Sequence, residues 1–528
     1  MINNLRRSAV TEQRFCWLNK KIKNESEQPL RYNGFDQKNK HQGGATLMYI
    51  VSLLETLVNG LLETEEKFFQ NPKDIYTLEK ATKATTDAVA AMFMSNVLSS
   101  MDEKIYNCSY REGRYTVQRK DKRTLISSVG DVTFDCTYYK RLTEEGGYVC
   151  LLEEMMGLSK HERFTEEAEV AMLTEALKTS YSEAAKVLPS KSKITKTTVM
   201  NKVHQIAEEI PYEAPQTKKE CTYLFIEADE DHVAEQHGRW SKKKDNNGFI
   251  SRLAYVYEYK RETPGCKGRK ELVNKFHFGG LYQGRSGIEK FWDNVNDFIE
   301  KTYETDKIQK IFISGDGAPW IKSGADYVAK AVFCADKFHL MKYINAASGQ
   351  MLDEKDVAKE ELWHMLYKRS RKGFKEYTDA MLRSSNNTEP IEKLQTYVLG
   401  NWSAVMMSLH SEIVDGCSAE GHVSHVLSDR LSSRPMGWSQ TGADRMSKLR
   451  CFEKNYGREK IIDLVKYSRA QRSLKRTGTD DEIIEQVSLR QIKAEHYNQA
   501  KSYIERIQTT IPGQASKIIK IRERLRLI

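Results

Sequence analysis

The sequence predicts an α/β protein: an RNase H-like mixed-sheet catalytic core interrupted by an all-helical insertion, behind a largely helical N-terminal region. Three observations predict it. Leu224-Phe-Ile-Glu-Ala-Asp-Glu-Asp-His-Val233 and Ile311-Phe-Ile-Ser-Gly-Asp-Gly-Ala318 are short apolar runs that end in acids, the pattern of central strands covered on both faces. Cys417-Ser-Ala-Glu-Gly-His-Val-Ser-His425 places a glutamate in a polar helical stretch. Asp316 and Glu420 are 420 − 316 = 104 residues apart, far more than a bare core of this kind needs, so the reading requires an insertion, residues 346–417, between them.

In the first strand Tyr223 and Phe225 face one side, and Leu224, Ile226 and Ala228 the other. Asp229 and Asp231 then share one face by the two-residue period. Strand-like runs Arg252–Tyr259 and Lys275–Tyr282 follow, separated by a Gly/Pro/Lys loop around Pro264 to Arg269. Ser286–Tyr303 reads as a helix with Ile288, Phe291, Trp292, Val295 and Phe298 on one face. Next come a strand Ile311–Ser314 ending at Asp316, a short helix, a strand Ala331–Cys334 and a helix from Lys337. The order β-β-β-α-β-α-β-α is what predicts the RNase H-like core, since there the first and fourth strands sit side by side. The core then spans residues 216–345, the insertion 346–417, and 418–455 closes the core with the Glu420 helix.

Ahead of the core, residues 1–45 are polar and aperiodic, either a flexible arm or an extension upstream of a start at Met48. Region 46–105 carries two helices, 46–70 and 74–100. Region 106–160 holds a basic stretch and a β-hairpin, Thr124–Val129 and Val132–Arg141 about a Gly130-Asp131 turn. Arg119 and Lys120 belong to the basic stretch, which either tracks a phosphate backbone or forms a solvated edge. Region 161–215 resembles a helix-turn-helix: Ser180–Leu188, a turn, then Thr195–Ile210 with Thr195 as N-cap. Lys196, Thr197, Thr198 and Lys202 are the groups that its second helix would offer to a major groove. Region 456–528 is basic and helical, ending in Lys517, Lys520, Arg522, Arg524 and Arg526.

Composition limits the classes. The chain has 528 residues, 39% hydrophobic and 30% charged, enough for several packed domains and far from a disordered balance. A net charge of +10 is compatible with a nucleic-acid partner without demanding one. The nine cysteines include no Cys-x-x-Cys pair, which disfavours a zinc ribbon and suggests no disulfide framework. The most apolar stretch, Leu47–Leu62, is broken by Glu55 and Asn59, so no membrane span and no membrane partner is expected. With no secretory signal, the expected location is cytoplasmic and nucleoid-associated.

The chemistry follows from the acids. Two strand-end aspartates and a helix-borne glutamate offer hard oxygen ligands to two Mg²⁺ or Mn²⁺ ions, the arrangement for phosphodiester cleavage and strand transfer. Taken singly, the motifs are weak: Gly315-Asp-Gly317 is commonly a turn, and Asp336-x-x-His339 a structural hydrogen bond. Glu420-x-His422-x-x-His425 lacks the His-Glu-x-x-His order of a zinc protease, so His422 and His425 are expected to line the DNA or brace the helix. Arg430 and Arg434 are candidate phosphate clamps, and Trp438 is either core or a base-stacking platform. Arg445, Lys448 and Arg450 are either clamps or a solvated face.

Together, Glu227-Ala-Asp-Glu-Asp-His-Val233, Gly315-Asp-Gly-Ala-Pro-Trp320, Asp336-Lys-Phe-His-Leu-Met-Lys-Tyr343 and Ser418–Trp438 resemble the insertion-sequence transposases of the ISLre type. These are in turn similar to Mutator-like transposases. The resemblance covers about residues 48 to 470. It implies a DDE enzyme with Asp229, Asp316 and Glu420 as catalytic metal ligands. Asp231 becomes an alternative ligand, and Asp336, His339, His422 and His425 fall in the surrounding shell. It further implies double-stranded DNA, both element ends and target, as partner, and a homo-oligomer. A catalytically inactive DNA-binding derivative and a nuclease that cuts without transferring strands are the competing classes.

Overall fold

The computed structural model describes residues 42–142, 146–159, 161–236, 248–266, 268, 270–434 and 436–474. The polar arm up to residue 41 and the basic C-terminal tail lie outside the described residues. The chain divides into two units, Met1–Leu78 with Ser488–Ile528, and Glu79–Val487. The first contains helix α1 (Gln42–Gln70) and the opening turn of α2 (Ile75–Tyr106). Among the described residues no helix is long and apolar enough to cross a membrane.

In the second unit the hairpin is longer than its apolar alternation suggests. Strand β1 (Tyr115–Ser127) pairs antiparallel with β2 (Gly130–Arg141), and the turn is Ser128-Val129, with Ser127 opposite Gly130. The basic stretch is therefore strand. Arg119 lies 2.7 Å from Asp121 and over the Tyr138 ring, and Lys120 is 3.6 Å from Asp135. Such partners stabilise a strand that composition alone does not mark. The exposed backbone edge of β2 is closed by α2. Ser95, Ser99 and Asp102, on one helix face, accept from the backbone N–H groups of Thr133, Asp135 and Thr137 at 3.1, 3.1 and 2.8 Å. A short strand β3 (Tyr148–Cys150) completes this sheet, and Cys136 and Cys150 are joined as a disulfide. That corrects the expectation of no disulfide: antiparallel pairing brings together two cysteines that their spacing of 14 residues does not link.

Helices α3 (Glu166–Ala176), α4 (Tyr181–Ala184) and α5 (Lys196–His204) are capped by the side chains of Thr165, Ser180 and Thr195. α5 ends short of the expected Ile210. Met172, Leu173, Val199 and Val203 pack in one cluster with Met446, Leu449, Leu464 and Val465. The helix-turn-helix-like region thus shares its core with the far end of the chain.

The central sheet has five strands. They are β4 (Tyr223–Val233), β5 (Phe249–Tyr257), β8 (Phe276–Gly280), β9 (Lys310–Gly315) and β10 (Ala331–Ala335), in spatial order β10-β9-β4-β5-β8. A small ribbon, β6 (Tyr259–Glu262) with β7 (Lys270–Val273), occupies the stretch between β5 and β8. β4, β9 and β10 are parallel to one another, while β5 and β8 run antiparallel. One sheet face, with Leu224, Ile226, Ala228, Ile311 and Ile313, packs on Phe291, Trp292, Val295 and Phe298 of α6 (Gly284–Thr302). The other face carries Phe225, Phe312 and Cys334 under Met407 and Val414.

After β10 come α7 (Lys337–Ser348) and the insertion α8 (Lys355–Tyr367), α9 (Arg371–Ser384), α10 (Glu389–Gly400) and α11 (Trp402–His410), all helical as expected. These helices have their own apolar core, including Leu340, Leu362, Phe374, Leu394 and Val405. The chain returns through α12 (Ala419–Val423), a π-helical turn Ser424–Ser428, α13 (Gln440–Tyr456) and α14 (Ile461–Leu474).

Burial corrects three expected DNA contacts. Lys202 is 5% exposed, with Glu162 at 2.7 Å and Glu169 at 3.2 Å, and Glu169 also accepts from Arg469 at 2.7 Å. It is an internal countercharge, because two buried carboxylates demand cations. Arg430 is 2% exposed, donates to the Ala176 carbonyl at 2.8 Å and lies between the rings of Tyr181 and Trp438. Trp438 is 5% exposed, and its indole N–H donates to the Leu431 carbonyl at 3.1 Å, so no ring face is free for a base. Arg450, also buried, donates to the carbonyls of Leu177 and His425. Arg445 and Lys448 are held by Asp444, which removes them from a simple solvated face.

Replacing Lys202 by Ala removes the Glu162 countercharge, leaves Glu169 with Arg469 alone and should cost about 3–5 kcal/mol of stability. Lys196→Ala, on the exposed start of the same helix, should leave stability unchanged. Urea unfolding of the two variants checks the contrast.

Candidate active site at the ends of the parallel strands

Register builds the site. In the parallel pair β4–β9, Glu227 lies opposite Ser314, so two residues further Asp229 stands beside Asp316. In the pair β9–β10, Gly315 lies opposite Ala335, so Asp336 stands on the other side of Asp316. Three aspartates thus form one row, just past the ends of β9 and β10 and within β4, which continues to Val233, on the face that carries Phe225 and Phe312. Tight backbone approach holds the row. A Cβ on Gly315 would come 2.7 Å from the Ala228 carbonyl oxygen, and Gly317 has φ +93°. The Asp316 carboxylate accepts from the Ala318 N–H at 2.8 Å. The loop beyond is pinned by Trp320, whose indole N–H donates to Glu230 at 2.7 Å.

Each carboxylate is differently placed. Burial pushes the Asp229 carboxyl up to about 6, and the charge of Asp316 adds to the rise; the Glu230 N–H and His339 oppose it. Asp336 caps α7, accepting from the Phe338 N–H at 2.9 Å and from His339 Nδ1 at 2.8 Å. That hydrogen bond, with the fields of Asp336, Asp316 and Asp229, holds the His339 imidazole above its usual range. Asp231 is buried: one oxygen accepts from Ser428 at 3.0 Å and Ser432 at 2.7 Å, and the other has no hydrogen-bond partner. Its geometry is that of a brace between β4 and the segment after α12.

Glu420 is exposed on α12, which lies against β4. Among the described residues, the one set of three His, Cys, Asp or Glu ligand atoms within 4.8 Å of one another is Cys136, Cys150 and Glu153. The acidic trio is therefore wider than a single-ion cage, and a two-ion site spreads its carboxylates over ions roughly 3.5–4 Å apart. Asp229 and Asp316, aligned hard-oxygen donors of which one is strained by burial, fit a divalent cation. His422 stacks 4.1 Å from the Tyr255 ring and meets His277 at 3.3 Å; burial pushes their imidazoles down to about 4 and about 3. His425 is exposed, as are Arg434, Lys196 and Thr197; Thr198 is half-buried, its hydroxyl 3.1 Å from that of Thr195.

Sequence reasoning missed Glu227. It is 1% exposed, in phase with Asp229 and Asp231. It accepts from Tyr255, from Tyr257 at 2.7 Å, from Lys260 at 2.9 Å, and from the Ser418 N–H and hydroxyl at 2.6 and 2.8 Å. Burial opposes its ionisation, but Lys260 and the donors prevail and hold the carboxyl below its usual range. Tyr397 of α10 was missed as well. Its buried hydroxyl has no hydrogen-bond partner, and its ring lies 3.4 Å from where a Gly317 Cβ would be. Burial, with Asp336 and Asp316, raises that phenol well above its usual range. An acid two residues before Asp229, in strand phase, was the available signal for Glu227; nothing local signals Tyr397.

The uncharacterised protein family UPF0236 matches residues 69–467. A UPF0236 protein of Caldanaerobacter subterraneus subsp. tengcongensis, whose name joins eleven locus designations, is 32% identical over 441 residues, covering 80% of this chain and 90% of its own. A second from the same organism is 32% identical over 451 residues, covering 82% and 88%. The Drosophila P element transposase strand transfer complex aligns over 68% of this chain and 94% of its own at 11% identity; its TM-score of 0.19 carries no argument.

Asp229→Asn should stabilise the protein at neutral pH in chelating buffer. Its folded carboxyl titrates near 6 and an unfolded one near 3.8, so the ionised form opposes folding. That cost is absent below pH 4, grows between 4 and 6, and is complete above 6, at roughly 1–2 kcal/mol after allowance for partial exposure. Calorimetric melting of both proteins from pH 4 to 8 reads it: the variant's advantage should be smallest at pH 4, grow through pH 5 and level off above about pH 6.

Proposed function

The chain belongs to the UPF0236 family, and from that membership we propose that it is a DDE-type DNA transposase that cleaves and joins DNA for the movement of an insertion sequence. The observation that carries the reading is the acid row at the ends of parallel strands, with Glu420 on a helix against the same strand after an all-helical insertion. The order β10-β9-β4-β5-β8 is that expected of an RNase H-like core. A single relative's name covering eleven loci in one genome supports a mobile element.

Asp229, Asp316 and Glu420 would hold two Mg²⁺ or Mn²⁺ ions, which when bound activate the attacking hydroxyl and stabilise the leaving 3′-oxygen. The chain's own part is positional. Gly315 and Gly317 let Asp316 stand against Asp229. Asp336 orients His339 by the hydrogen bond to its Nδ1, and the nearby aspartates hold that imidazole above its usual range. Double-stranded DNA is the partner, and Arg434, Lys196, Thr197, Arg119 and Lys120 remain exposed for its backbone. Multimers on paired element ends follow by analogy with other transposases.

An excision assay tests this, with a marked element bearing native ends and the protein supplied in trans. Wild type should excise, and Asp316→Asn should lose at least about 100-fold, since it keeps shape but removes a ligand charge. Excision by neither protein, with DNA binding retained, would leave the inactive DNA-binding derivative, and equal excision by both would remove Asp316 from the chemistry.

A further inference from the structure

We infer that Glu227 is a positioning residue for Glu420, acting through Ser418; the inference rests on the metal-dependent reading of the site. Glu227 lies two residues before Asp229 on β4, and Ser418 two residues before Glu420 at the start of α12. One buried carboxylate therefore ties together the segments that carry the first and last acids. The same Glu227 oxygen accepts both the Ser418 N–H and its hydroxyl, at 2.6 and 2.8 Å. Tyr255 also donates to that oxygen and lies 3.1 Å from the Ser418 hydroxyl, while its ring stacks on His422, two residues after Glu420.

The segment around Glu420 is thus gripped on both sides of the glutamate, and both grips lead to β4 and β5. The other Glu227 oxygen accepts from Tyr257 and Lys260. Lys260 in turn donates to the Gly416 carbonyl at 2.9 Å, which fixes the approach to Ser418. Glu420 itself is exposed on a five-residue helix. Without this clamp the insertion's return strand would let Glu420 drift from the aspartates, because one short turn of helix does not hold its own position.

A buried carboxylate is costly unless its charge is met, and five donors meet this one. A role confined to core stability would not require Ser418 to supply both its backbone and its side chain. Outer hydrogen bonds that orient a metal ligand change metal affinity roughly 10–100-fold when lost.

The test uses the full chain and Mn²⁺ as probe, with free Mn²⁺ read by electron paramagnetic resonance and folding read by thermal melting. Wild type, Ser418→Ala, Ser418→Thr, Glu227→Gln and Glu420→Gln are compared. Ser418→Ala should weaken Mn²⁺ binding roughly tenfold, in the direction of Glu420→Gln, and Ser418→Thr should restore it. The two defects should be less than additive in the double variant Ser418→Ala/Glu420→Gln. Ser418→Ala with wild-type Mn²⁺ affinity, while Glu420→Gln is weakened, overturns the positioning role. Glu420→Gln with wild-type affinity overturns the metal-site reading instead. If Glu227→Gln does not fold, Ser418→Ala, which leaves the carboxylate its other donors, decides alone.

Discussion

The parallel pairing of β4 with β9 and of β9 with β10 is the constraint on which the rest depends. A parallel register aligns side chains of equal phase, so a one-residue slip would turn an aspartate to the α6 face and bury it among Phe291 and Trp292. The apolar residues of the strands fix that phase. Leu224, Ile226, Ile311 and Ile313 have to face α6, and Asp229 and Asp316 then have no other side to occupy. The chemistry of the site is in this sense a by-product of a hydrophobic decision made four residues earlier.

The same logic decides how much could be read from the chain alone. β4, β9, β10 and α6 were legible because their apolar pattern is strong, and the insertion because 104 residues separate Asp316 from Glu420. β1 was legible only in its last residues. Its first half, Thr116 to Lys122, has no buried alternation and is held as strand by cross-strand charge and by the Tyr138 ring. Asp229, Asp316 and Glu420 were legible as acids in position.

What the sequence hid are partners far apart in the chain. Lys202 and Arg430 look like surface cations because a helix terminus shows nothing of what lies opposite it. Their carboxylates and carbonyls come from Glu162, Glu169 and Ala176. Trp438 was open between core and base stacking, and the ring that packs on it, Tyr181, comes from a distant segment. Glu227 was hidden for the opposite reason: it lay inside a run already explained as strand.

The shared use of Glu169 by Lys202 and Arg469 joins α5 to α14. A gene copy cut short before Ile461 would lose Arg469 together with Leu464 and Val465, leaving an under-compensated charge and an open face on the helical region. Such a product would be poorly folded and open to proteolysis.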